Sequence, residues 1–489
     1  MISITVNGQA LTAPEIPTSM TLLDFLREHG LTGAKEGCAE GECGACSVLV
    51  ARPGQDTPTE WVAVNSCLIP AAAVDRQEVV TAEGLGTPEV LHPVQYLMAS
   101  IGGSQCGYCT PGFVCSMAAE YYRGARNRHT TSAPGDAART SDRAGDDRMT
   151  GQNGFDIHAL SGNLCRCTGY RPIQDAAFAL GWPEDDDWLA RRRSAPAPTP
   201  TATDISDGDS RFVRATTLDA ALRLLHDNRD VTIVAGCTDW GVQVNIRGER
   251  ATLTLAVDQV PEMRELRQTS DYIEIGSALT LTEIERLLRG RIPLLACLWP
   301  QFASRLIRNR ATLGGNIGTG SPIGDALPAL LALEATVCLV GHDGERDVPI
   351  ADYFTGYRTS VRATDELIRA IRVPLPLAST ATFYKIAKRR FDDISSVAVA
   401  IALEIRDGIV EKARIGLGGV ADRPIRALRT ESLLTGSPWT TDSVDAASQV
   451  MCHEAAPLSD HRASAAYRTE MLTQSLHRLY AEMMEGELV

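Results

Sequence analysis

Cysteine carries the chemistry legible in this sequence. Of 13 cysteines, eight stand in tight groups: Cys38, Cys43, Cys46 and Cys67, then Cys106 and Cys109, then Cys165 and Cys167. Cys115 lies among them without a close partner, and Cys237, Cys297, Cys338 and Cys452 are scattered singly. Thiolates bind soft metal centres, and their spacing selects among them. Cys38-x4-Cys43-x2-Cys46, with 20 residues before Cys67, is the plant-type spacing for a 2Fe-2S cluster. A loop that wraps three sulfurs around one cluster must bend sharply. Gly37, Gly41 and Gly44 relieve that bend and let backbone N–H groups approach the sulfides. A structural zinc site is the alternative, but zinc knuckles favour paired Cys units and do not need three glycines in one ligand loop. The second set, Cys106-x2-Cys109 and Cys165-x-Cys167, taken alone also suits zinc. Each of its pairs precedes a predicted helix start, at Thr110-Pro111-Gly112 and at Thr168-Gly169-Tyr170-Arg171-Pro172. There, free N–H groups and partial positive charge favour an anionic thiolate cluster. Cys115 falls in a helical pattern with Phe113, Val114 and Met117 and reads as core.

The elements that must hold these groups follow from periodicity. Ile2, Ile4 and Val6 alternate before Asn7-Gly8, a hairpin signal, and Leu22, Leu23, Phe25 and Leu26 predict a short helix ended by Gly30. Ser47–Val50 and Trp61–Val64 read as strands, and Val94–Ile101, Gly112–Tyr122 and Ile173–Leu180 as helices. The polar stretch 123–154 reads as a mobile surface insertion, and 191–210, with its Ala-Pro-Ala-Pro-Thr-Pro core, as a semi-extended linker. Beyond it, strand-like Thr232–Ala235, Leu253–Val257 and Tyr272–Ile275 interleave with helical Leu218–His226 and Leu281–Leu288. Later, Val397–Ile405 and Glu411–Leu417 read as strands and Ala463–Met483 as a closing helix.

Two segments in this half invite a charged ligand. The strand Thr232–Ala235 runs into Gly236-Cys-Thr-Asp-Trp-Gly241, whose backbone N–H groups could cradle a pyrophosphate. The string is not G-x-G-x-x-G, so a Rossmann site is not supported. Thr312-Leu-Gly-Gly-Asn-Ile-Gly-Thr-Gly-Ser-Pro-Ile-Gly-Asp325 reads as one small-residue loop suited to close backbone approach.

Composition narrows the partners. The 489 residues are 44% hydrophobic and 22% charged, an ordinary globular balance, and 47 basic against 61 acidic residues give a net charge of −14. That disfavours nucleic acid and anionic membrane surfaces. Met1–Ala10 shows no export signal and no apolar run reaches the ~18 residues of a membrane span, so a cytoplasmic protein is expected. In that reducing compartment cysteines serve as metal ligands more than as disulfides.

The strings Gly-Glu-Cys-Gly-Ala-Cys, Gln105-Cys-Gly-Tyr-Cys-Thr-Pro-Gly112 and Gly162-Asn-Leu-Cys-Arg-Cys-Thr-Gly-Tyr-Arg-Pro172 resemble the iron-sulfur region of the xanthine dehydrogenase family of molybdenum hydroxylases. The two small-residue segments resemble the same family's FAD-binding domain. The resemblance implies a multidomain α+β fold. Its parts are a plant-ferredoxin-like β-grasp domain (1–84), a helical 2Fe-2S domain (85–190) carrying the insertion 123–154, the linker 191–210, a non-Rossmann α/β FAD-binding domain (211–378) and a small α/β C-terminal flavoprotein domain (379–489). It implies one 2Fe-2S cluster on Cys38, Cys43, Cys46 and Cys67 and another on Cys106, Cys109, Cys165 and Cys167. It places Val234, Ala235, Gly236, Cys237, Thr238 and Asp239 on one side of the FAD diphosphate and Gly315, Asn316, Thr319, Ser321 and Asp325 on the other, with Phe302, Leu367 and Lys385 near the flavin. Tyr357, and Asp392 in the charged loop Arg389-Arg-Phe-Asp-Asp393, fall on the NAD side. Gln105 faces a molybdopterin. The family's molybdopterin domain has no room in 489 residues. The implied protein is therefore the electron-transfer subunit of a xanthine dehydrogenase, working with a large molybdenum subunit in a heterotetramer of two small and two large chains. Electrons from purine hydroxylation would pass through both clusters to FAD and on to NAD. An aldehyde or N-heterocycle dehydrogenase subunit, a stand-alone NADH-oxidising flavoprotein and a zinc-stabilised scaffold remain alternatives.

Overall fold

Alternation of Ile2, Ile4 and Val6 makes Ile2–Val6 a strand with one face buried, and Asn7-Gly8 turns it into Gln9–Ala13. These strands join Glu78–Val80, Ser47–Pro53 and Thr59–Asn65 in a five-stranded sheet of order Gln9–Ala13, Ile2–Val6, Glu78–Val80, Ser47–Pro53, Thr59–Asn65. Ser47–Pro53 reads as a continuous apolar run because both of its faces are covered. Val48 and Val50 pack with the helix Leu22–Glu28, while Leu49 and Ala51 pack with the helices that follow. Thr21 and Asp24 form a capping box at the start of Leu22–Glu28, a device that contributes about 1 kcal/mol.

The computed structural model describes residues 1–124, 126, 149–389 and 391–486. The chain divides into one unit of Met1–Thr216, Asp230–Val257 and Ser304–Arg310, and a second of Thr217–Arg229, Asp258–Ala303 and Ala311–Val489. In the first unit the helices Pro93–Ser100, Thr110–Tyr121, Arg171–Phe178 and Trp188–Arg192 bury Met98, Phe113, Cys115, Met117, Ile173 and Leu189 against the sheet. A four-stranded sheet of order Thr203–Asp207, Ser210–Arg214, Leu253–Ala256, Thr232–Val234 adds Ile205, Phe212, Val234 and Ala256 to the core of the β-grasp part.

The second unit has an antiparallel five-stranded sheet of order Leu266–Gln268, Tyr272–Gly276, Leu367–Pro374, Thr336–Gly341, Gly344–Pro349. Leu281, Ile284, Leu295, Ile317 and Leu330, from the helices beside it, fill its core. A second sheet of four strands, Thr380–Ile386, Val397–Arg406, Ile409–Gly418 and Ile425–Arg426, carries the closing helices Leu428–Leu434, Thr441–Met451 and Ala465–Met484.

Three sequence expectations need correction. The run 191–210 is not one linker: Arg191 and Arg192 end the helix Trp188–Arg192, and Thr203–Asp207 is an edge strand paired with Ser210–Arg214. Its alternating burial was masked by the proline-rich run before it. The stretch 123–154 is not all surface. Its centre, 125 and 127–148, lies outside the described residues, but Arg126 and Asn153 are buried. The Asn153 amide donates to the carbonyls of Ala177 and Leu180, and Arg126 donates to those of Asn153 and Leu180, so both residues close the end of the helix Arg171–Phe178. Finally, the glycine-rich segment is not a loop throughout, for Leu313–Thr319 is a helix. The Thr312 hydroxyl caps it by accepting the Gly315 N–H, and Leu313 and Ile317, one turn apart, anchor it in the core.

Candidate functional site

The plant-type loop is built between strands. Ser47–Pro53 leaves it at one end, and Cys67 stands in the 3-10 turn Ser66–Leu68 after Thr59–Asn65. Side chains from these elements pull the loop into shape. Asn65 Nδ2 donates to Gly41 O at 2.7 Å, Ser47 Oγ to Gly44 O at 2.7 Å and Ser66 Oγ to Cys46 O at 2.6 Å.

The sulfurs meet two by two. Cys46 and Cys67 Sγ are 3.4 Å apart and both buried, while Cys38 and Cys43 form a half-buried pair in which Cys38 Sγ accepts the Cys43 N–H at 3.4 Å. The hydrogen bond with Cys43, helped by the N–H groups of Glu40, Cys43 and Glu42, draws the Cys38 thiol down to about 5, and Cys43 is pushed up. Likewise the Cys67 thiol lowers Cys46 while Cys67 rises. In the second set Cys106 pairs with Cys167 at the surface, and Cys109 pairs with Cys165 further in. The Tyr108 N–H, then Cys167, lowers Cys106. Desolvation, then Cys165, raises Cys109 to about 12. Cys165 is lowered although burial opposes it, through the Thr168 hydroxyl 3.2 Å away and nearby N–H groups. As expected, Cys109 stands at the start of Thr110–Tyr121 and Cys167 shortly before Arg171–Phe178.

Among the described residues no three His, Cys, Asp or Glu side chains converge as a single-ion site requires. Two sulfurs per metal, with backbone N–H groups aimed at them, is the donor set that a two-iron cluster takes. The residues present therefore fit such a group in each set.

The two sets are knitted together by backbone. The Leu164 N–H, next to Cys165, donates to Cys43 O at 3.0 Å, and Asn163 Nδ2 donates to Gly44 O at 3.2 Å. Tyr108, between Cys106 and Cys109, donates its hydroxyl to Glu36 O. Gly44 has φ +64°, and a Cβ there would strike Gly162 O; one on Gly112 would strike Gly44 O. Both glycines are required by this backbone-on-backbone approach. Leu164, Asn163 and Tyr108 lie inside the cysteine strings, but nothing in their types marks them as bridges.

The first small-residue turn follows Thr232–Val234. Val234, Gly236 and Cys237 are buried, Ala235 and Thr238 half-buried and Asp239 exposed. Arg310, itself buried, donates to the carbonyls of Ala235 and Gly236 at 3.4 Å each, and the Gly241 N–H donates to Cys237 O at 2.8 Å. In a trans peptide the N–H points opposite the C=O. The N–H groups of Gly236 and Cys237, in the same peptides as the two carbonyls that Arg310 holds, are thus turned away from Arg310. Arg310 was not anticipated; its only sequence signal is a basic run with Arg305 and Arg308.

In the second unit, Gly315 and Gly318 are exposed on the helix Leu313–Thr319, Thr319 and Ser321 are half-buried, and Asn316 Oδ1 is buried without a hydrogen-bond partner. An orphaned buried acceptor is costly and fits a ligand donor. The structure brings Asp325 and Lys385 together: Lys385 Nζ lies 2.7 Å from Asp325 Oδ2, both nearly buried, and the Ser395 hydroxyl donates to Asp325 Oδ1. Phe302 and Leu367 are buried. Tyr357 is 61% exposed with Arg358 over its ring, and Asp392 sits half-buried at φ 51°. Cys115 is fully buried, as expected of a core residue.

Two paired thiol sets and a small-residue turn are parts that an iron-sulfur flavoprotein needs. Four family models match in order: 2Fe-2S iron-sulfur cluster binding domain over 4–72, 2Fe-2S binding domain over 81–178, FAD binding domain in molybdopterin dehydrogenase over 208–376, and CO dehydrogenase flavoprotein C-terminal domain over 382–483. This chain belongs to the molybdenum hydroxylase family and carries its 2Fe-2S and FAD domains. Xanthine dehydrogenase of Drosophila pseudoobscura pseudoobscura is 32% identical over 97% of this chain and 38% of its own length. For xanthine dehydrogenase 1 of Arabidopsis thaliana the figures are 32%, 91% and 37%. The chain thus spans under two fifths of these relatives. Among solved structures, a carbon monoxide dehydrogenase chain from Hydrogenophaga pseudoflava matches with TM-score 0.53 and 27% identity, over 55% of this chain and 94% of that one. Quinoline 2-oxidoreductase from Pseudomonas putida 86, at TM-score 0.52 and 23% identity over 56% of this chain and 96% of that one, shares the fold. No helix among the described residues is long and apolar enough to cross a membrane.

Proposed function

We propose that this chain is the electron-transfer part of a xanthine dehydrogenase, passing electrons from hydroxylation of hypoxanthine or xanthine, at a molybdenum cofactor in a partner subunit, to NAD. When bound, the 2Fe-2S clusters carry single electrons, and FAD gathers two and gives them to NAD. Cys106, Cys109, Cys165 and Cys167 hold the entry cluster and Cys38, Cys43, Cys46 and Cys67 the second. Exposure supports that order: Gln105, Cys106 and Cys167 lie at the surface, where a partner's molybdopterin can approach, and Cys46 and Cys67 are buried. The N–H groups of the 234–239 turn take the FAD diphosphate. Asn316, Thr319, Ser321 and the Asp325–Lys385 pair bind and orient the rest of the cofactor, and Tyr357 and Asp392 serve the NAD side. The observation that carries the proposal is the Leu164 N–H to Cys43 O hydrogen bond, which joins a residue next to one cluster ligand directly to another ligand.

The purine assignment rests on sequence likeness, since the Drosophila pseudoobscura pseudoobscura xanthine dehydrogenase is 32% identical over 97% of the chain. An aldehyde or N-heterocycle dehydrogenase would need the same residues here, because the substrate meets the partner. The assembly is two small and two large chains, in the cytoplasm. Purification of the assembled enzyme and anaerobic assay of NAD reduction with xanthine, an aldehyde and an N-heterocycle tests the reading. Xanthine should be the substrate that turns over; turnover with an aldehyde alone would overturn the purine assignment.

A further inference from the structure

The helix Trp240–Arg247 begins directly after the 234–239 turn, and its far end reaches the plant-type ligand loop. Asn245 Nδ2 donates to Ala39 O at 2.9 Å and to Cys67 O at 2.8 Å. Ala39 holds a left-handed φ of 58° between Cys38 and Cys43, and Cys67 is itself a ligand in the proposed cluster. One amide thus ties both ends of the ligand set. One turn earlier on the same face, Gly241 lies so close to the Leu68 backbone that a Cβ there would sit 2.7 Å from Leu68 O and 2.8 Å from Leu68 Cα. The helix therefore has no freedom to slide along the Ser66–Leu68 turn. Its N-terminal end is equally fixed, because the Gly241 N–H holds Cys237 O and Arg310 holds the carbonyls of Ala235 and Gly236.

We propose that the helix Trp240–Arg247 is a rigid strut that sets the Cys38/Cys43/Cys46/Cys67 loop against the 234–239 turn, with Asn245 as the positioning residue that locks it. This rests on the reading of the loop as a cluster site and of the turn as a flavin site. Neither polar contact involves a sulfur, so Asn245 acts through the ligand backbone, as outer-shell partners of metal ligands do. Its loss leaves two carbonyls unsatisfied and lets the loop relax without removing a ligand.

The test uses the full-length chain purified with its iron and flavin, in the wild type, Asn245→Leu and Asn245→Gln. In Asn245→Leu the first cluster's electron paramagnetic resonance line shape and midpoint potential should shift, and electron exchange between it and the flavin should slow about tenfold. The second cluster's signal and the FAD content should stay as in the wild type. Asn245→Gln keeps the amide donors and should recover most of the exchange rate. Wild-type line shape, potential and rate in Asn245→Leu would overturn the strut. So would loss of both clusters together, because a strut at one loop leaves the second thiol set intact. A wild-type chain without iron or without flavin would instead sink the functional reading on which the strut depends.

Discussion

Single residues decide whether electrons can cross this chain. Cys43 supplies a sulfur to one thiol set and, through its carbonyl, the acceptor for the Leu164 N–H beside the other. Cys43→Ser should therefore abolish one of two 2Fe-2S resonance signals and stop flavin reduction during turnover of the assembled enzyme. NAD reduction at the wild-type rate would contradict the relay. Lys385 and Asp325 form an ion pair whose side chains are 3% and 9% exposed, so solvent screens it little. Lys385→Met leaves a buried carboxylate with the Ser395 hydroxyl alone, and urea denaturation should show a loss of about 3 kcal/mol. An unchanged midpoint would mean that the pair carries no structural weight. The cysteines were legible in the sequence because their type and spacing are chemically rare, whereas Asp325 and Lys385 were singled out only one by one, through the family resemblance, and their pairing was not foreseen. Leu164, Arg310, Ser395 and Asn245 were not legible, because each acts through a backbone or side-chain contact made across the chain, which no local pattern records.

Elements bring these groups together through close backbone approach. Gly112, near the start of Thr110–Tyr121, rests on the Gly44 carbonyl, and Gly112→Ala must push helix and ligand loop apart. The expected cost is about 2 kcal/mol in thermal denaturation, with both thiol sets retained. The same helical part contains a pH-sensitive anchor. His92 Nδ1 accepts the Val94 N–H, Nε2 lies 2.7 Å from the Tyr122 hydroxyl, and that hydroxyl donates to Asp187 at 2.6 Å. Burial lowers His92 to about 4, with Asp187 opposing the shift. A histidine buried neutral binds its proton more weakly folded than unfolded. Its contribution is therefore full above pH ~6.5 and is lost as pH falls through that value toward about 4, a loss of about 3 kcal/mol. Denaturation at pH 7 and pH 4.5 should show this slope in the wild type and a flatter one in His92→Gln; equal slopes would contradict it. Elements with a clear apolar period, such as Ile2–Val6 and Leu281–Leu288, announced themselves, while others, such as the strand Leu367–Pro374 and the helix Ala326–Ala332, were not anticipated. The helix Leu313–Thr319 did not announce itself, since five of its seven residues are glycine, threonine or asparagine, and its Thr312 cap and buried Leu313 and Ile317 outweigh their poor helix propensity. The strand Thr203–Asp207 was hidden by the proline-rich run before it.

At the scale of the molecule, composition foretold less than motif order did. A net charge of −14 excluded classes of partner without naming one, whereas three cysteine strings in succession pointed to two metal centres, and the two small-residue segments after them to a flavin. The four matched domains keep that order along the chain. What composition could not reveal is that residues as distant as Gly44, Gly112 and Leu164 share one backbone contact region. Two iron-sulfur clusters and one flavin make up the proposed relay. The most direct test is metal and flavin analysis of the purified chain, combined with resonance spectra after anaerobic reduction by NADH. About four iron and one FAD per chain, no zinc and two distinct 2Fe-2S signals are expected. Stoichiometric zinc without iron, or two 2Fe-2S signals that both survive unchanged in Cys43→Ser, would contradict the relay.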